Sequence, residues 1–249
     1  MADIKLHGFL PAEALPLTLF TNLETISYPH LLASLLFLAI TYTWRLSWHD
    51  KQLPNQAEPM KLLWFAPIPF MKNQDTIWGL SYAYLYFIRA LYPSSMAEQC
   101  PNTSSDLAIG FTRFWALLGI MLACNLARVH CINLLGPRFS LKLSSPPKLE
   151  TSSIYAYLRH PSYTFINTAL VTTNLFYVLY PPSGGVLSCW LGEERLYWFT
   201  LVTSVAKVAF VGTFMSGRIP AEEKMMEETF GQEWREWKKR TWRVIPFVW

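Results

Sequence analysis

Charged residues are scarce in this chain. They make up 15% of 249 residues, where ordinary soluble domains carry about 25%. Cysteine is scarce too. Cys100, Cys124, Cys131 and Cys189 are the full set, and no pair has a C-x-x-C spacing, which removes the usual thiolate metal sites. Cys124 and Cys131, two helical turns apart, read as small apolar packing residues. Cys100 and Cys189 fall in two loops expected on one side, where a disulfide is weakly supported. There is no Gly-x-Gly-x-x-Gly run, so a nucleotide-binding turn of the doubly wound type has no support. The first 27 residues lack a basic start followed by a short apolar core, so they do not read as a secretory signal. A net charge of +4 is too mild to point to nucleic acid.

What is abundant is apolar and aromatic. Hydrophobic residues reach 52% and aromatics 16%, with 11 Trp. This balance reads as a single membrane domain over residues 1–249, all-α. Five segments can span a bilayer, which takes about 20 mainly apolar residues, the second of them short and aromatic. They run from Tyr28 to Leu46, Ile77 to Tyr92, Phe111 to Leu135, Tyr163 to Tyr180 and Leu196 to Met215. The stretch Leu62 to Met71, broken by Pro67 and Pro69, reads as an interfacial or re-entrant piece.

Basic residues alternate from loop to loop. Lys5 stands alone before the first segment. Arg45, Lys51, Lys61 and Lys72 follow it, and 93–110 has none. Arg138, Lys142, Lys148 and Arg159 come before the fourth segment, and Arg195 alone before the fifth. Arg218, Lys224, Arg235, Lys238, Lys239, Arg240 and Arg243 fill the tail. The positive-inside rule then places the C-terminus in the cytosol. The sequon Asn102-Thr103-Ser104 falls in a loop expected outside. Arg89 and Arg113 read as snorkelling near helix ends. Arg128 reads either as an anion ligand or as a snorkelling flank, and Lys207 as paired with an unidentified partner.

Two stretches carry chemistry. In Tyr155-Ala156-Tyr157-Leu158-Arg159-His160-Pro161-Ser162-Tyr163, Pro161 suits the first turn of a helix. That puts Arg159 and His160 beside the positive end of a helix dipole, where an anion binds well. An ordinary basic membrane flank is the competing reading. In the tail, Arg218-Ile219-Pro220-Ala221-Glu222-Glu223 directly follows the fifth segment. Met225, Met226, Phe230, Trp234 and Trp237 then recur at helical intervals, giving a C-terminal amphipathic helix that Gly231 bends or breaks. Adjacent carboxylates suit a ribose, an ammonium or a sulfonium. Glu227, Glu228, Glu233 and Glu236 read as a solvated face. Trp234, Trp237, Trp242 and Trp249 read as an interfacial belt.

Together the two stretches resemble the isoprenylcysteine carboxyl methyltransferase family. Ser153, Tyr155, Arg159, His160, Pro161 and Tyr163 follow the family's Gly-x-Tyr-x-x-x-Arg-His-Pro-x-Tyr, with Phe165 where the family ends on Gly. Arg218, Ile219, Glu222, Glu223, Phe230, Gly231, Pro246 and Phe247 follow its second pattern, with Trp234 and Trp237 replacing two Tyr. The resemblance covers about 136–249. It implies an endoplasmic reticulum methyltransferase using S-adenosylmethionine, with His160, Tyr163, Glu222 and Glu223 around the cofactor. It implies that Arg159 and Arg218 orient a substrate carboxylate, with no metal. The acceptor would be lipophilic: a prenylcysteine, or a small terpenoid acid in a pocket altered at Phe165 and the two Trp. Two other readings stay open. One is an NADPH-dependent membrane sterol reductase, towards which Trp234 and Ile245-Pro246 lean. The other is a non-catalytic scaffold.

Overall fold

The computed structural model describes residues 27–48, 67–91, 111–139, 145–179 and 193–245. They form α1 (Tyr28–Ser47), α2 (Pro67–Leu91), α3 (Phe111–Leu135), α4 (Pro161–Leu179), α5 (Glu193–Phe230) and α6 (Gln232–Lys239). Short 3-10 turns at Gly136–Arg138 and Ser153–Ala156 lie between α3 and α4. No strand occurs among the described residues; the one extended pairing is an isolated parallel bridge of Leu158 with Trp242. The all-helical expectation holds. Two helices, over Thr112–Arg138 and Tyr197–Phe230, are apolar and long enough by composition to cross a membrane. The sequon, Cys100, Cys189 and Pro246-Phe247 lie outside the described residues.

Two boundaries differ from expectation. The end of the supposed re-entrant piece, from Pro67, is the first turn of α2. Pro67 and Pro69 fall where a missing N–H has no intrahelical partner to lose, so they start this helix instead of breaking it. The fifth segment does not stop at Met215 either. It continues unbroken through Pro220 to Phe230, 38 residues in all, a rod of about 57 Å at 1.5 Å per residue. A bilayer core is about 30 Å thick, so the motif-bearing end of this rod projects past the apolar part. Gly231, at φ +53, breaks it. That left-handed conformation is costly for other residues.

The core of the bundle is aromatic. Phe37 on α1 stacks on Tyr82 of α2 at 5.0 Å and meets Phe176 of α4 edge-on at 5.4 Å. Tyr82 stacks on Tyr177 at 5.6 Å, and Phe114, Leu118 and Met121 close the cluster from α3. Polar cross-links run between the helices. Ser34 Oγ donates to the Ala83 carbonyl at 2.7 Å. Arg128 on α3, buried, donates through Nε to the Ser47 carbonyl at 3.2 Å and through Nη1 to the Ser162 carbonyl and hydroxyl at 2.9 and 2.8 Å. Its guanidinium also lies 5.7 Å over the Trp48 ring. Arg128 therefore neither snorkels nor waits for an anion. It clasps the C-terminal end of α1 to the start of α4. Lys207 has a partner as expected: its Nζ meets Asp75 Oδ1 at 2.5 Å, both side chains buried. Outward, the long helices expose large apolar residues such as Leu35, Leu80, Ile120, Val171 and Val202, a surface suited to an apolar surround.

α1 and α2 approach closely at Gly79, where an added Cβ would stand 2.1 Å from Thr41 Oγ1. Close approach through small residues is a common way for helices to pack in membranes. Gly79→Ala is expected to destabilise the detergent-solubilised protein by about 1–3 kcal/mol. Thr41→Ala in the same chain should restore part of the loss. Thermal unfolding of the two variants measures it, and an unchanged Tm for Gly79→Ala would contradict the close contact.

Candidate functional site

Pro161 opens α4, as its position in the motif predicts, and this places Arg159 and His160 just before the helix. The preceding turn requires Ser153 at φ +54, the left-handed region where glycine is the unstrained residue. This gives a backbone reason for Gly at the start of the motif pattern. Residues 157–160 then run alongside 242–243. Arg159 N donates to the Trp242 carbonyl at 2.8 Å, His160 N to the Arg243 carbonyl at 3.1 Å, and Trp242 N to the Tyr157 carbonyl at 2.9 Å. Thr164 Oγ1 adds a bond to the Val244 carbonyl at 2.6 Å. The tail is thus tied to the first motif by backbone.

Beneath this pairing sits Glu223. Its Oε1 accepts from Arg159 Nε at 3.0 Å, and its Oε2 lies 3.0 Å from Arg243 Nη2. His160 Nε2 stands 3.4 Å from Oε1, a close electrostatic contact but long for a formed hydrogen bond. Burial alone would raise the Glu223 pKa. The donors and charges facing it, His160 and Arg159 first, win and lower it from 4.5 to about 2. Arg159 Nη1 also donates to the Lys238 and Thr241 carbonyls at 3.0 and 2.5 Å. Its guanidinium is therefore largely engaged in joining α5, α6 and the first motif.

Next to this cluster is a partly open cavity of about 100 Å³. His160, Tyr163, Arg218, Glu222 and Arg159 all line it, and Glu223 does not. Tyr163 donates its hydroxyl to Glu222 Oε2 at 2.7 Å and accepts from Arg218 Nε at 3.3 Å, and its ring stacks on His160. Arg218 is 4% exposed, with Nε 3.6 Å from Glu222 Oε2. Its Nη1 is buried and has no hydrogen-bond partner among the described residues. Burial works against its charge, but Tyr163 and Glu222 beside it raise its pKa. A guanidinium that lines a cavity and keeps one nitrogen without a partner is suited to hold a carboxylate.

Of the other walls, the resemblance implied only Trp234 and Trp237; Met225, Met226, Leu149 and Glu150 carried no such expectation. Met225 and Met226 line the cavity from α5, Trp234 and Trp237 from α6, and Leu149 and Glu150 from the preceding loop. The two Trp do not form an interfacial belt. They are 1% and 3% exposed, packed with Leu149 and Tyr155, and Trp237 Nε1 donates to the Tyr155 carbonyl at 3.0 Å. Their helical spacing with Met226 and Phe230 was the available signal, since it fits an inward face as well as a belt. Burial pushes the Tyr155 phenol up, keeping it neutral. Glu150 had no sequence signal. It accepts from Arg138 at 2.8 Å and from Ser152 Oγ at 2.5 Å, which lowers its pKa, Ser152 being the larger cause. Phe165, expected to fill space beside the pocket, is not among the lining residues.

Residues 117–228 match the isoprenylcysteine carboxyl methyltransferase (ICMT) family. This stretch holds the first motif and Arg218 through Glu223, so the likeness read from the motifs is shown over it. Among solved structures, the eukaryotic intramembrane Ras methyltransferase ICMT without a monobody is similar at 18% identity. The match covers 73% of this chain and 67% of that one, with a TM-score of 0.39, which is too low to carry any argument about this chain. No curated protein matches.

The depressed Glu223 pKa has a defined effect on stability. The carboxylate's contribution is complete above about pH 4.5 and is lost as pH falls from there towards about 2. Glu223→Gln should cost about 3–5 kcal/mol near neutrality, because it strands buried guanidinium groups. Its Tm should also fall less steeply than wild type between pH 4.5 and 2. Parallel profiles for the two proteins would contradict this role.

Proposed function

We propose that this chain, whose residues 117–228 match the isoprenylcysteine carboxyl methyltransferase family, is a membrane-embedded S-adenosylmethionine-dependent carboxyl O-methyltransferase. The observation that carries the reading is the spare buried donor of Arg218 at the cavity wall. The wall chemistry fits the cofactor as well. Glu222 offers a carboxylate to an ammonium or ribose, and Met225, Met226, Trp234 and Trp237 offer an apolar, aromatic surface to a base or a lipid chain. S-adenosylmethionine, when bound, supplies an electrophilic methyl group on a sulfonium.

The acceptor carboxylate is already ionised at pH 7, so the protein needs no general base. Positioning is the main requirement, and at best it is worth about 7–11 kcal/mol. Arg218 grips one carboxylate oxygen and leaves the other to attack. Tyr163 holds Arg218 and Glu222 in fixed relation. His160 lines the cavity under the Tyr163 ring. Arg159 and Glu223, the two motif residues most engaged in internal pairing, support the site by joining its parts. This departs from a direct cofactor contact by Glu223 and a direct substrate contact by Arg159.

The acceptor is a lipophilic carboxylic acid, a prenylcysteine or a terpenoid acid, reaching the cavity from the bilayer. All five long helices span the membrane, in one domain with the motif half at the cytosolic face, and the family places it in the endoplasmic reticulum. The alternation of basic loops and the apolar exterior of every long helix support this topology. A glycosylation or protease-protection map should put the Trp249 end in the cytosol and Asn102 in the lumen, and the opposite arrangement would reject it.

Arg218→Lys tests the site. Lysine keeps the charge but lacks the planar fork that holds Tyr163 through Nε while offering an Nη to the acceptor oxygen. S-adenosylmethionine affinity, read by calorimetry in detergent, should stay near wild type while turnover falls about tenfold, or ~1.4 kcal/mol of barrier. Wild-type turnover in this variant would reduce Arg218 to a structural partner of Tyr163 and Glu222. Binding of NADPH in place of S-adenosylmethionine, or of neither, would turn the reading towards a reductase or a scaffold.

A further inference from the structure

The buried pair of Lys207 and Asp75 lies well away from the cavity. Lys207 sits on α5 and Asp75 on α2, with Nζ and Oδ1 2.5 Å apart and side chains 6% and 5% exposed. The ammonium also lies 5.9 Å from the centre of the Tyr177 ring on α4. Around it α5 is otherwise weakly tied. Thr203, Thr213 and Ser216 spend their hydroxyls on carbonyls of α5 itself, and Tyr197, Trp198, Phe199, Val202, Val205 and Val208 face outwards.

Helical geometry connects this pair to the site. Lys207 and Arg218 are eleven positions apart on one unbroken helix. Eleven steps of about 100° return to within about 20° of the same face, roughly 16 Å further along. The face that meets Asp75 is therefore the face that presents Arg218 to Tyr163. Val211 and Met215 lie between them and pack apolar against Ile166 and Leu170 of α4. Apolar contacts of this kind tolerate sliding, whereas an ion pair has one register. A slip of α5 by one turn moves Arg218 by about 5.4 Å, which would break its 3.3 Å contact with Tyr163.

We infer that Asp75 and Lys207 are positioning residues: their buried ion pair, acting with the Glu223 pairs further along α5, sets the rotation and depth of that helix and thereby places Arg218 and Glu222 in the cavity. The inference deepens the methyltransferase reading and rests on it for its catalytic consequence. A buried pair of this kind contributes little net stability when both partners are exchanged for apolar residues, so its contribution here is specificity of register.

The test replaces both charges together, Asp75→Leu with Lys207→Met, because removing one alone strands a buried charge. Nitroxides at Leu46 and Glu228, on a background without native cysteines, report the distance between the end of α1 and the projecting end of α5. Wild type should give one narrow distance. The double variant should keep a similar Tm but broaden towards register-shifted states, with turnover lowered by up to about 100-fold, as for an ångström-scale misplacement. A narrow, unshifted distance in the double variant would overturn the inference, and so would wild-type turnover. Asp75→Asn is the second variant should the double one fail to fold, and an unchanged distance there overturns the inference equally. If wild type transfers no methyl while the double variant still broadens, the methyltransferase reading fails and the register role stands.

Discussion

One carboxylate holds the motif-bearing end of this protein together. Glu223 lies on α5, yet Arg159 from the first motif and Arg243 from the tail both bind it, with His160 in close contact. A buried carboxylate is costly unless paired and hydrogen-bonded, so these groups are held where they are. With them come the short backbone pairing of 157–160 with 242–243 and the start of α4 at Pro161. Tyr163, in the first turn of α4, is thereby set against Glu222, the neighbour of Glu223, and Arg218, just over a turn further back along α5. The cavity is what remains between two motifs fastened in this way.

Much of this was legible because the physics is local. Apolar segment lengths marked the five long helices, Pro161 marked a helix start, and Gly231 marked a break. The motif residues did converge. What the sequence could not reveal was which side of the junction each one faces. Glu222 and Glu223 are neighbours about 100° apart on a helix, so one lines the cavity and the other turns into the ion cluster. Nothing in the spacing says which is which. The same limit applies to Trp234 and Trp237, whose periodicity fits a membrane belt as well as an inward face. Ser153 is the converse case: its positive φ supplies the physical reason for a motif position that the pattern alone left unexplained.

The charges inside the bundle follow another logic. Arg128 and Lys207 read from sequence as anomalies in apolar segments. Each finds its partner more than 30 positions away in the chain, Arg128 at Ser47 and Ser162 and Lys207 at Asp75. Such long-range pairing leaves no local trace. Both act as fixed points in a bundle whose core contacts are mainly aromatic and aliphatic. In an apolar surround, polar contacts of this kind supply register where packing alone is permissive.

A cavity wall with a buried, incompletely paired guanidinium beside a tyrosine–glutamate bond suits the capture and orientation of a carboxylate. That is the central claim, and transfer of a labelled methyl group tests it most directly. Purified protein in lipid nanodiscs is given methyl-labelled S-adenosylmethionine and a prenylcysteine or a terpenoid acid, and the product is treated with mild base. The account predicts label released as volatile methanol, as a carboxyl methyl ester requires, and only when an acceptor carboxylate is present. Base-stable label, or no transfer to either acid by protein that binds the cofactor, would contradict it.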